Sequence, residues 1–224
     1  MTDAKDGIFS QAEADTVERV IRSRRDVRGN RFVSDPVPDS MLEKIFEAAM
    51  WAPSVGYSQP WRFITVHNQD TKRKVAESFA TENQKASALF TDDKQALYQQ
   101  LKLEGIKEAP VNLAVYYCPS EQPVLGQTSM PDMGRFSVVC AIENMWLMAR
   151  ALNIGVGWVS ILDPTKVSEA LQAPDHWELI GYLCLGYTNG FLSEPELEKL
   201  GWDKRRQRHQ VWFEENAGNK KPPE

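Results

Sequence analysis

Arg24, Arg25 and Arg28 place three guanidinium groups within five residues, with a single carboxylate, Asp26, between them. A guanidinium is planar and presents a fork of N–H donors, which suits bidentate recognition of a phosphate. Asp26 does not suit that task, because its charge repels the anion its neighbours would hold. On an extended chain residues 24, 26 and 28 share one face, so Asp26 is expected to meet the same ligand as its arginines. Between two cations it is expected to be ionised at neutral pH and to act as a hydrogen-bond or proton acceptor. Spacing alone leaves a plainer alternative open, in which Asp26 only pairs with neighbouring arginines on a solvated surface.

Two other segments have the composition of a ligand site. Ala52-Pro53-Ser54-Val55-Gly56-Tyr57-Ser58-Gln59-Pro60-Trp61 is rich in small and turn-forming residues, which let backbone and hydroxyl groups approach a ligand closely. An ordinary helix-to-strand loop has the same composition. Gly155-Val156-Gly157-Trp158-Val159-Ser160-Ile161 contains a G-x-G but not the full dinucleotide fingerprint, and no helix follows at once. Ser160 falls near a strand end, a common place for a site residue and for ordinary polar termination.

The elements that must position these segments are legible in outline. Ser10 with Glu13 has capping-box spacing before a helix carrying Val17, Val20 and Ile21, and that helix delivers the basic run. Ser40 with Glu43 repeats the signal, and Leu42, Ile45, Phe46 and Ala49 recur at helical spacing until Pro53. Trp61 to His67, Val111 to Cys118, Gly155 to Ile161 and Trp177 to Gly186 have strand composition. Thr71 to Leu101 is polar and helix-prone, whereas Phe136 to Leu152 is apolar almost all round and suits either a domain centre or half of a homodimer interface. The stretch from Leu192 onward has Trp202, Val211, Trp212 and Phe213 but little periodicity, as in an arm that packs on another surface.

At 224 residues with no linker-like or repeated stretch, the chain is expected to form one domain. A net charge of −5, from 26 basic and 31 acidic residues, argues against broad polyanion binding and hence against a nucleic-acid partner. Cys118, Cys140 and Cys184 are odd in number and widely spaced, and His67, His176 and His209 share no ligand spacing with them. Reduced thiols and no metal are expected. Met1 to Phe9 has no apolar leader pattern and no run reaches about 18 apolar residues, so a cytoplasmic location with no membrane contact is expected.

Taken in order, Arg24-Arg25-Asp26-Val27-Arg28, the Ala-Pro-Ser turn ending in Gln59-Pro60-Trp61, Gly155-Val156-Gly157-Trp158 and a late Arg205 resemble the flavin-dependent nitroreductase family from about Ser10 to Glu215. Within it, Ala52-Pro53-Ser54-Val55-Gly56, Leu101-Lys102-Leu103-Glu104-Gly105-Ile106 and Gly155 to Ser160 are similar to the 5,6-dimethylbenzimidazole synthase branch. Asp26 and Tyr57 stand where ordinary members tend to carry Ser and Asn, and both departures follow that branch. The resemblance implies an α+β fold: a nitroreductase-like α/β sandwich, with a mixed central sheet flanked by helices, in a domain-swapped homodimer that binds FMN at the subunit interface. It implies a single domain over 1–224, with a helical lid at about 72–108, an arm at 192–215 on the partner and a disordered tail at 216–224.

For the site, the resemblance implies that Arg24, Arg28 and Arg205 face the FMN phosphate or pyrimidine side, with Arg25 and Val27 beside them. Arg205 is followed here by Arg206 and Gln207, where the family often has Leu-Pro. Pro53, Ser54 and Val55 would reach the flavin from the partner, the region around Leu101 to Glu104, with Leu103, would form another edge, and Trp158, Val159 and Ser160 would line the ring. The implied reaction is O2-dependent fragmentation of reduced FMN to 5,6-dimethylbenzimidazole, the lower ligand of cobalamin, and erythrose 4-phosphate. Asp26 would be its proton acceptor or hydrogen-bond anchor and Ser160 a hydrogen-bonding group near the ring, with reduced FMN supplied by a separate flavin reductase. An NAD(P)H-dependent FMN nitroreductase, a corrinoid reductase and a non-enzymatic flavin carrier are the alternatives.

Overall fold

The computed structural model describes residues 7–217, which fall into two compact units divided between Phe191 and Leu192. The expected tail at 216–224 lies, beyond residue 217, outside the described residues.

Helix α1 (Gln11–Ser23) opens with the expected capping box: Ser10 Oγ accepts from the Glu13 N–H, and Glu13 returns a bond to the Ser10 N–H at 2.7 Å. Helix α2 (Asp39–Met50) starts earlier than the Ser40 and Glu43 pair suggests. The Pro38 carbonyl already accepts from the Met41 and Leu42 N–H groups, so proline's fixed φ sets the start and no side chain caps it. The polar stretch expected as one helix from Thr71 to Leu101 is two, α3 (Gln69–Ser87) and α4 (Asp92–Gln100). The break coincides with Asp92 at φ 52, where a right-handed helix cannot continue. The expected lid is therefore helical as far as Gln100 and irregular beyond it.

Strands β1 (Trp61–Val66), β2 (Val111–Tyr117), β3 (Gly155–Val159) and β4 (Glu178–Gly186) form one sheet in the order β1-β2-β4-β3, with antiparallel ladders throughout. One parallel bridge, Asp26 with Val156, is added at the β3 edge. Side chains alternate along the strands and so feed two cores. Leu113, Val115, Leu183 and Leu185 pack with Ile45 and Ala49 of α2 and with Val138, Ile142 and Met145 of α5 (Met133–Ala151). Ala114, Tyr116 and Tyr182 pack on the other face with Val75 of α3 and Val167 of α6 (Pro164–Leu171). Helix α5 is apolar on more than its core side: Phe136, Val139 and Met148 are exposed, as are Val17 and Ile21 of α1.

The second core holds polar groups that an oily interior would exclude. Lys72, 2% exposed, donates to the Ala109 and Pro110 carbonyls, and the Cys184 thiol donates to Asn112 Oδ1 at 3.3 Å. Burial pushes the Cys184 thiol well up and the Lys72 ammonium down. The unfolded chain's thiol ionises from about pH 8.5, while the folded thiol keeps its proton, so this group's contribution to stability falls as pH rises through that window. Cys184→Ala is expected to lose about 1.4 kcal/mol less than the parent between pH 7.5 and 9.5, read from urea-unfolding midpoints. Parallel losses in the two proteins would rule the thiol out as the source. Lys72 acts in the opposite sense and is common to both.

The second unit, described from Leu192 to residue 217, contains two short helices, α7 (Glu196–Lys199) and α8 (Arg208–Val211). Within it the Trp202 N–H donates to the Leu197 carbonyl and Arg208 lies over the Trp212 ring at 4.6 Å.

Candidate active site

After α1 the chain turns extended at Arg24 and runs along the outer edge of β3, where the Val27 N–H donates to the Val156 carbonyl at 2.9 Å. Two glycines make that approach possible. A Cβ on Gly155 would stand 2.9 Å from the Val27 side chain, and one on Gly157 would run into the Val27 carbonyl oxygen. The G-x-G of this strand thus serves close packing of a neighbouring backbone and has no phosphate-loop role.

That packing fixes Asp26. One carboxylate oxygen accepts from the Trp158 N–H at 3.1 Å, and the other pairs with the Arg28 guanidinium. Arg28 is held in turn by the Leu103 carbonyl, to which Nη1 donates at 2.8 Å. The Arg28 side chain is 14% exposed and that of Asp26 30%, so the arginine is held among its partners while the carboxylate is partly exposed. Asp26 thus pairs with an arginine, as the plainer sequence alternative has it, and is partly exposed.

The other arginines of the run are engaged differently. Arg24 leans on α5, its guanidinium 4.6 Å from the Trp146 ring centroid and its Nε 3.9 Å from Glu143. Arg25 Nη1 donates to the Arg22 and Arg24 carbonyls, and the Arg25 carbonyl accepts from Trp146 Nε1. Val27 is buried, Trp158 is half-buried with its ring 6.4 Å from that of Trp146, Val159 belongs to the second core, and Ser160 is exposed just past the end of β3.

Pro53, Ser54 and Val55 lie elsewhere. The Val55 N–H donates to Ser137 Oγ near the start of α5, whereas Trp146 and Arg150, near its end, bond to the Arg25 and Ser23 carbonyls. Nine residues of helix separate Ser137 from Trp146, about 14 Å at the standard rise, so one chain does not join the two segments. The turn itself is strained, with Tyr57 and Gln59 at φ 54 and 46 and Ser54 Oγ accepting from the Gln59 N–H. Arg205 belongs to the second unit, where its N–H donates to Glu198.

Sequence reasoning passed over Trp146 as a site residue, though it carries Arg24, and named no partner for Glu104, whose carbonyl accepts from the Gly29 N–H at 2.8 Å. A signal for the second existed: Gly29 and Gly105 mark two backbones in close contact, since a Cβ on Gly105 would lie 3.2 Å from the Gly29 nitrogen.

An antiparallel sheet between two helical layers, with an arginine-rich segment on its edge, matches a known family: residues 21–187 fit the model of the nitroreductase family, and the chain belongs to it. Among its relatives is the 5,6-dimethylbenzimidazole synthase of Rhodospirillum rubrum, 42% identical over 201 residues that cover 89% of this chain and 94% of the relative. A protein of the same name from Rhodobacter capsulatus is 36% identical over 198 residues, covering 88% and 95%. Among solved structures, iodotyrosine deiodinase bound to FMN and 3-iodo-L-tyrosine superimposes with a TM-score of 0.69 over 90% of this chain and 99% of that one, at 20% identity, a likeness of fold. Among the described residues no helix is long and apolar enough to cross a membrane.

Proposed function

We propose that the chain is a 5,6-dimethylbenzimidazole synthase, which converts reduced FMN and O2 to 5,6-dimethylbenzimidazole, erythrose 4-phosphate and a fragment that carries the rest of the pyrimidine ring together with the oxygen atoms of O2. The observation that carries this reading is Asp26, a partly exposed carboxylate held by a strand N–H and an arginine. Its support is the 42% identity, over nearly the full length of both chains, to a relative of that name. The residues suit a flavin at Asp26, which offers an acceptor to ring or ribityl protons, while the Arg28 guanidinium and the Trp158 N–H are engaged in holding that carboxylate. Reduced FMN supplies the electrons for O2 and the ring atoms of the product, so here it is a substrate.

Asp26 then holds or accepts a proton at the flavin, Arg28 keeps that carboxylate in place, and Ser160 offers a hydroxyl beside it. Arg24, Arg25, Val27, Leu103, Trp158 and Val159 shape the same edge. The exposed apolar stripe of Val17, Ile21, Phe136, Val139 and Met148 is covered by a second copy of the chain. That copy brings Pro53, Ser54 and Val55 of the partner subunit across the gap along α5. A separate flavin reductase supplies the reduced FMN.

The test is to load the protein anaerobically with reduced FMN, admit O2 and identify the products by chromatography and mass. Benzimidazole and erythrose 4-phosphate in equal amounts are expected. Recovery of oxidised FMN with hydrogen peroxide alone would sink the assignment, and rapid NADPH oxidation through bound FMN would favour an ordinary nitroreductase.

A further inference from the structure

Glu104 is a buried carboxylate, 9% exposed, in the irregular chain between α4 and β2. Burying a charge is costly unless it is paired and hydrogen-bonded, and both conditions are met. Oε1 accepts from Lys102 Nζ at 2.8 Å and Oε2 from the Ile106 N–H at 2.6 Å, which closes the 104–106 turn on itself. The far end of the same loop is fastened to the fold by Asn112 Nδ2 on the Ile106 carbonyl and Lys72 Nζ on the Ala109 and Pro110 carbonyls.

What this turn presents outward is two consecutive carbonyls. Leu103 O receives the Arg28 guanidinium, and Glu104 O receives the Gly29 N–H. Loop and arginine segment are in close contact, since a Cβ on Gly105 would stand 2.7 Å from the Phe32 ring and 3.2 Å from the Gly29 nitrogen. A shift of the 104–106 turn is therefore passed to Arg28, and Arg28 is the ionic partner of Asp26. Arginine is long and has many rotamers, so its pairing geometry depends on the fixed acceptor at Leu103.

We propose that Glu104 is a positioning residue for this site: by closing the 104–106 turn it sets the Leu103 carbonyl, and through it the Arg28–Asp26 pair. The proposal rests on the synthase reading for its kinetic consequence but not for its structural one. Glu104→Ala removes the turn's carboxylate, while Glu104→Gln keeps an oxygen for the Ile106 N–H and gives up the charge and the bond to Lys102. The first is expected to lower the single-turnover rate constant for benzimidazole formation at least tenfold, the scale of small misplacements at a reacting centre. The second is expected to recover to within about threefold of the parent, and FMN affinity in both is expected to stay within about threefold.

A merely structural role would reduce the amplitude of the turnover, through a smaller folded fraction, and leave its rate constant unchanged. Such a result, or parent-like rates in Glu104→Ala, would overturn the proposal. Amide hydrogen exchange on the same proteins as purified gives a readout that needs no turnover. Faster exchange at Val27, Gly29 and Trp158 in Glu104→Ala, with β2 still protected, is expected; unchanged exchange at those three amides would overturn the proposal. If the parent itself forms no benzimidazole, the synthase reading falls alone and the exchange result decides the positioning role.

Discussion

Asp26→Asn is expected to lower single-turnover formation of 5,6-dimethylbenzimidazole by about 10²- to 10³-fold, the range removed with a positioned proton acceptor. FMN affinity is expected to change less than tenfold. The substitution keeps the size of the side chain and leaves an oxygen for the Trp158 N–H, so the β3 edge is preserved. What it changes is the side toward Arg28: an amide N–H2 replaces a carboxylate oxygen, and two donors then face each other where an ion pair stood. The exposed part of the side chain likewise loses its charge. Product yield and rate unaltered in Asp26→Asn would remove the residue from the mechanism and reduce it to surface pairing.

Gly157→Ala should cost the most in structure. The added Cβ meets the Val27 carbonyl oxygen, a backbone atom that cannot swing aside as a side-chain tip would. The arginine segment must then lift off β3, breaking the Val27 N–H bond to Val156 and the Asp26 bond to Trp158. A loss of about 2 to 4 kcal/mol in urea-unfolding free energy follows from overpacking plus two strained or broken hydrogen bonds. Benzimidazole formation is expected to be lost with it. Gly155→Ala, whose Cβ would meet only the Val27 side chain at 2.9 Å, is expected to be milder in both measures. The reverse order would show that close packing of this segment is not what the glycines provide.

These expectations also explain which parts of the molecule can be read without coordinates. The capping box of α1 and the strand composition of β2 and β4 are local patterns, and these elements appear where expected. The start of α2 and the break between α3 and α4 are also local, but they turn on the Pro38 carbonyl and on a positive φ at Asp92, which residue periodicity does not encode. The Gly155 and Gly157 pair was visible, yet its cause lies far away in sequence at Val27, whose side chain faces Gly155 and whose carbonyl faces Gly157.

The same division runs through the candidate site. By itself the sequence determined the ingredients: a basic run with one misplaced carboxylate, four blocks in the order of a flavin-binding family, and residue types suited to proton transfer beside a phosphate grip. Only the tertiary structure decided the partners. It seats Asp26 between the Trp158 N–H and Arg28, turns Arg24 aside onto Trp146, and makes the Leu103 carbonyl, held by Glu104, the support behind the pair. The physical reason is range: helix caps, strand alternation and residue chemistry are written within a few residues, whereas a buried hydrogen bond joins whichever donor and acceptor the packing of distant segments brings within about 3 Å.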